Sequence, residues 1–176
     1  APLQSLPAGW RALVVGASGG IGAALLAQLQ ADPGCGLALG VHRRTVPALD
    51  FSDEPSVARA AAQLAGQGPY HLIINAAGLL HGPGFMPEKK LGDLHQAQLL
   101  ATFQANTFGP ALLLRHFTPL LHPQRGVLAV LSLVVLTLGA TLRGLLPQSG
   151  CSGCALPRSQ DIASSVTEPL TVFEQS

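Results

Sequence analysis

The most constraining feature of this chain is the segment RALVVGASGGIGAALLAQL at residues 11–29. Ala12 to Val15 is continuously apolar and ends in β-branched side chains, as suits a strand buried on both faces. Gly16, Gly20 and Gly22 follow in the spacing G-x-x-x-G-x-G. An alanine-rich helix is predicted from about Gly20 to Gln30, with Ile21, Leu25 and Leu29 on one face and a stop at DPGCG. A helix that begins at such a turn presents unpaired amide N–H groups and a partial positive charge, so phosphate is a natural ligand there. Glycine at Gly16 and Gly20 keeps side chains out of the way of a pyrophosphate, and Gly22 lets the helix lie close to the sheet. Strand-to-helix turns also use glycine for geometry alone; set between a buried strand and a helix, this one points to dinucleotide binding.

The same alternation continues along the chain. GLALGVH reads as a second strand, and a short third strand ends at PALDF. SDEPSVARAAAQLAGQG then supplies an Asp or Ser cap, a proline in the first turn and a helix. YHLIINAAG is a fourth strand with its exit turn, and a long amphipathic helix, bent near Gly109 and Pro110, leads to a fifth strand in GVLAVLS. Alternating strands and helices imply right-handed crossovers and a parallel sheet with helices on both faces. The character changes near Gly144, where periodicity is lost and Ser, Thr, Pro, Gln and Gly dominate. The expected division is a dinucleotide-binding domain over residues 1–143 and an irregular, poorly ordered tail over 144–176.

With 176 residues, 48% hydrophobic and 11% charged, the chain suits one compact domain with a sizeable core. A net charge of +1 gives neither a nucleic-acid footprint nor a polybasic membrane patch, leaving small neutral or phosphate-bearing ligands. Three cysteines make an odd count, and no signal-peptide pattern precedes Trp10, so a reducing, cytoplasmic setting is expected. GVLAVLSLVVLTLGATL carries no charge but is short for a bilayer span, which takes roughly 20 apolar residues. Its Ser132, Thr137, Thr141 and Gly139 favour a buried strand and its continuation, with no membrane association.

Further motifs follow the glycine turn in order. INAAG places Asn75, Ala76, Ala77 and Gly78 at the end of the fourth strand, Asp50 and Phe51 form an acidic-apolar pair, and FQANTFGP places Asn106 inside an apolar helix. With these the sequence resembles the short-chain dehydrogenase/reductase family over roughly Arg11 to Ser132. NAAGLLHGPGFMPEKKL and FQANTFGPALLLRHFTPLL are most similar to its C-factor-like branch. The resemblance implies an α/β fold of the Rossmann type, a doubly wound parallel sheet that here is incomplete in its C-terminal half. It implies a nicotinamide dinucleotide held by Gly16, Ser18, Gly19, Gly20, Ile21 and Gly22, with Asp50 and Phe51 meeting the adenine ring and Asn75, Ala76, Ala77 and Gly78 lining the second turn. Asn106 corresponds to the asparagine that supports a water in the family's proton relay. On their own, Asn75 also suits a turn cap and Asp50 a helix-entry acid. Asn106 is harder to dismiss, since a buried amide without partners costs about 1 to 3 kcal/mol. After the second strand stands VHRRT, where an acid would hold the ribose hydroxyls of NAD; Arg43, with Arg44 beside it, favours the extra phosphate of NADP, NAD being the alternative.

The family's reaction uses a Tyr-x-x-x-Lys pair and a serine. Ser132 ends the fifth strand about where the serine segment begins, and is equally readable as a strand-end serine with no task. The sole tyrosine is Tyr70, before the fourth strand, and no lysine follows Lys90. Arg143 and Arg158 cannot serve as the acid, because a guanidinium keeps its proton. Cys151 and Cys154 form a lone C-x-x-C without the second pair or histidine of a zinc site, so no metal is expected. His81 and His95 fit surface or loop roles. Degenerate codons permit GLLPQSGCSGCAL, read one nucleotide onward, to encode a tyrosine, basic residues and alanines resembling the family's missing segment. Three readings stand: an NADP-dependent oxidoreductase acting on a small carbonyl or alcohol, an NADP-binding or regulatory module without turnover, and an interaction protein with no cofactor. The incomplete sheet would leave the fifth strand as an edge and favour association, including homo-oligomers.

Overall fold

A computed structural model describes residues 5–82, 84, 86–131 and 173–174. Strand β1 (Trp10–Val15) runs into helix α1 (Gly20–Ala31), β2 (Cys35–Val41), α2 (Glu54–Leu64) and β3 (Leu72–Asn75). Helix α3 (Gln96–Phe103), a π-helical turn (Gln104–Phe108) and α4 (Gly109–Phe117) then lead to β4 (Val127–Val130). The sheet has the order β2-β1-β3-β4, all parallel, with a short antiparallel β5 (Phe173–Glu174) beside β4. This is the parallel α/β sheet that the alternation of elements implies.

Strand β1 lies between β2 and β3, paired on both sides, and shows why an apolar run was needed there. Leu13 and Val15 point to one face, packing with Val57, Leu64, Leu113 and Phe117 of α2 and α4. Trp10, Ala12 and Val14 point to the other, against Leu25, Leu26 and Leu29 of α1. The period of two thus feeds two cores, and each fully buried side chain of this size contributes about 1.5–3 kcal/mol. Helices cover both faces of the sheet, so the chain is doubly wound.

Three expectations are corrected. No third strand forms at PALDF, because Pro47 lacks an N–H and the backbone folds back on itself: the Leu49 amide donates to His42 O at 3.1 Å and the Thr45 hydroxyl to Pro47 O at 2.7 Å. The distortion expected near Gly109 and Pro110 is present, as the π-helical turn Gln104–Phe108 immediately before Gly109. The Gly109 amide donates five residues back to Gln104 O, and Pro110 has no donor for the preceding turn. Ile21 does not share the buried face of α1, since it is 61% exposed while Gly22 and Leu29 are buried. Phe173 and Glu174 pair with Leu128 and Val127, so β4 is not left as the edge of the sheet. The rest of the expected tail, with Cys151 and Cys154, lies outside the described residues, as does Ser132. Among the described residues no helix is long and apolar enough to cross a membrane.

Candidate functional site

The parallel strands bring the glycine turn, the loop after β2 and the turn after β3 to their common C-terminal edge. At Gly16 the backbone adopts φ +84°, and a Cβ there would lie 2.5 Å from the Ala77 amide nitrogen. Only glycine lets the two turns approach so closely. The Gly16 and Ala17 amides both donate to Val41 O, at 2.8 and 3.3 Å, which anchors the turn on β2. A Cβ on Gly22 would meet Gly16 O at 2.2 Å, so this glycine seats α1 against the turn.

Gly20 differs from both. A Cβ on it would meet nothing within 4 Å, and one on Gly19 would meet only Gly16 O at 3.5 Å. Ser18, Gly19, Gly20 and Ile21 are all exposed. Gly19 is the N-cap of α1, offers no side-chain acceptor, and is followed by no acid in the first turn. The helix start therefore keeps its amide donors and its positive end for something outside the chain, and an anionic diphosphate fits that donor set.

The second turn is held from two sides. Asn75 is fully buried; its Oδ1 accepts the Ala77 amide at 3.1 Å, and its Nδ2 has no partner among the described residues. Ala76 and Ala77 are half-buried and Gly78 is exposed. Beyond it, the buried Asn106 accepts the Leu79 amide on Oδ1 at 2.7 Å and donates from Nδ2 to Leu79 O at 2.8 Å. The amide that sequence patterning left in need of partners is satisfied by one residue's backbone.

The loop after β2 carries Asp50 and Phe51. Burial alone would raise the Asp50 carboxyl, but hydrogen bonds from the Ser52 amide and hydroxyl, at 2.9 and 2.7 Å, and the charge of Arg43 outweigh it and hold the group below the usual carboxylate range. Asp50 is thus an anion with acceptor capacity to spare, and Arg43 and Arg44 beside it are exposed. Phe51 has its ring buried in the core, where a Cβ on Gly109 would lie 2.3 Å from it. The ring is therefore spent on packing, and the backbone of Phe51 is what remains at the loop. Its carbonyl accepts the side-chain amide of Gln104. Gln104 was missed from sequence, although a polar residue two places before Asn106 in an apolar helix is a signal of the same kind.

The structure thus brings Gly16, Gly78 and Asn106 to one edge of the sheet, and separates Tyr70 from them. Tyr70 lies before β3 at the opposite end, fully buried, with its hydroxyl donating to Leu64 O at 3.1 Å. Burial pushes its phenol up, the charge of Arg11 opposing. His81 and His95 are exposed.

No family model and no curated protein matches the chain. Solved structures do. A short-chain dehydrogenase from Burkholderia cenocepacia J2315 in complex with NADP is 29% identical, with a TM-score of 0.53 over 64% of this chain and 47% of that one. A small-chain dehydrogenase in complex with NADPH is 21% identical, with a TM-score of 0.55 over 77% and 60%. The aldohexose dehydrogenase of Thermoplasma acidophilum is 16% identical, with a TM-score of 0.51 over 62% and 43%. The fold is the one these dehydrogenases share. The chain spans 47 to 61% of the length of the first solved structures it matches.

Proposed function

We propose that the chain binds NADP along the C-terminal edge of β1, β2 and β3 and acts as an oxidoreductase of the short-chain dehydrogenase/reductase type, in its C-factor-like branch. The observation that carries this reading is the open space over Gly19 and Gly20 beside a helix start that its own sequence leaves uncapped. The 29% identical neighbour is described with NADP and another neighbour with NADPH, which supports the choice of nucleotide.

In this reading the amides of Gly20, Ile21 and Gly22 hold the diphosphate, with Ser18 and Gly19, whose own amide donates to Gly16 O at 3.0 Å, flanking it. Arg43 pairs with the ribose phosphate of NADP, a charge-assisted contact that NAD lacks. Asp50 takes the adenine amino group, Phe51 contributes backbone, and Asn75, Ala76, Ala77 and Gly78 back the reactive end. The nicotinamide supplies hydride exchange with a small carbonyl or alcohol when bound. Asn106, through the backbone it orders, and Ser132 are the residues proposed for proton handling and substrate placement. The setting is cytoplasmic, the domain occupies residues 1–143, and neither nucleic acid nor membrane is a partner.

A second reading, binding without turnover, is favoured by one specific observation. The sole tyrosine is buried at the far end of the sheet with its hydroxyl already committed, so it cannot donate a proton at this edge. Isothermal titration with NADP and NAD tests the shared part of both readings. Saturable heat with NADP, weaker with NAD and abolished in Gly20→Trp, is expected; no heat with either nucleotide overturns both. NADPH oxidation with a panel of small aldehydes and ketones then separates them.

A further inference from the structure

The π-helical turn between α3 and α4 touches both loops that border the site. Gln104, at its start, donates its side-chain amide to Phe51 O across 53 residues of sequence. Asn106, in its middle, holds the N–H and C=O of Leu79. Gly109, immediately after it, lies against the Phe51 ring, where a Cβ would approach to 2.3 Å. One irregular turn thus fixes the loop after β2 by a carbonyl and a ring, and the loop after β3 by a whole peptide edge.

We propose that Gln104 is a positioning residue for the adenine end of the dinucleotide. It acts through Phe51: with the ring held in the core and the carbonyl held by the Gln104 amide, the Asp50–Phe51–Ser52 backbone has one orientation. That orientation aims the Asp50 carboxylate outward, its own Oδ1 already fixed by Ser52. A regular helix over the same residues would shift the phase of everything C-terminal to it by one position, so Gln104, Asn106 and Gly109 would not reach these partners together. The irregularity, commonly a mark of functional sites, is the device that lets one helix serve both loops. The inference rests on the NADP reading and adds to it a residue that contacts neither nucleotide nor substrate.

The test uses the full chain and two halves of the nucleotide. Adenosine 2′,5′-bisphosphate probes the adenine end and nicotinamide mononucleotide the other. Gln104→Leu, which keeps the bulk and removes the donor, is expected to weaken the adenosine bisphosphate and NADP about fivefold, the size of one ordinary hydrogen bond, and to leave nicotinamide mononucleotide unchanged. Gln30→Leu, which loses a comparable side-chain bond to Ala38 O on the far side of α1, is the control and should alter neither half. Equal weakening of both halves in Gln104→Leu, or of neither, overturns the inference. If the wild-type chain binds neither half, the NADP reading itself fails. Amide exchange at Ser52 and Asp53 then still decides the clamp, which is wrong unless exchange there is faster in Gln104→Leu than in wild type.

Discussion

Asn106 holds Leu79 by both polar groups of its backbone, accepting the N–H at 2.7 Å and donating to the C=O at 2.8 Å. A buried side chain here does what a neighbouring strand does elsewhere, giving the chain leaving β3 a fixed path where no strand is available. Removing it leaves both Leu79 groups unpaired. Asn106→Ala is expected to lower unfolding free energy by about 1–3 kcal/mol in urea titrations. Asn106→Asp should be at least as harmful, since its carboxylate faces Leu79 O with no proton to give.

Two glycines two positions apart, Gly20 and Gly22, should separate packing from binding. Gly22→Ala places a methyl 2.2 Å from Gly16 O, a backbone atom that cannot step aside, so a loss of about 1–3 kcal/mol or more in stability is expected. Gly20→Ala meets open space and adds helix propensity, so the melting temperature should hold or rise slightly. Its effect should appear only in titration, as weaker NADP binding, because the added methyl occupies the space proposed for the diphosphate. A destabilised Gly20→Ala would contradict the open geometry.

The difference between these glycines marks how far the sequence could be read. Spacing alone singled out Gly16, Gly20 and Gly22, although only Gly16 needs a positive φ, only Gly16 and Gly22 face close backbone, and Gly20 needs neither. It did not say which of them faces a ligand. The strand-helix order was legible from apolar runs, but the third strand failed because Pro47 and Thr45 close a local turn that competes with the sheet. Ile21 was assigned to the buried face by its spacing from Leu25 and Leu29, yet it is exposed in the first turn of α1, where the buried position is Gly22. The π turn is invisible to a 3.6-residue pattern, since apolar side chains flank it on both sides. Gln104 was missed for a related reason: its partner is 53 residues away, and no local rule links them.

Tyr70 gives a sharp test of the assignment of roles. Its hydroxyl donates to Leu64 O in a fully buried setting, so Tyr70→Phe removes a buried hydrogen bond. A loss of about 1 kcal/mol is expected in urea unfolding. NADP affinity, and any turnover the chain shows, should be unchanged. A selective loss of turnover at full stability would place this tyrosine in the chemistry and overturn the account of the sheet's two ends.

Stability should also fall in mild acid, for a reason at the sheet end remote from the site. His71 and His122 stack with ring centroids 4.7 Å apart, and His71 Nδ1 accepts the Arg11 amide at 3.2 Å. Burial lowers the proton affinity of His71 first of all, and the charges of His122, Arg11 and Arg125 lower it further. A histidine with a depressed folded pKa is favoured neutral: the unfolded chain takes up its proton at a higher pH than the folded one. The contribution is therefore complete above the unfolded value of about 6.5 and is lost as pH falls below it toward the folded value. Urea midpoints measured at pH 7.5 and 5.5 should show the lower stability at pH 5.5. His71→Asn keeps an acceptor near the Nδ1 position and cannot titrate, so it should flatten that difference. An unaltered pH dependence in His71→Asn would assign the acid sensitivity to another group.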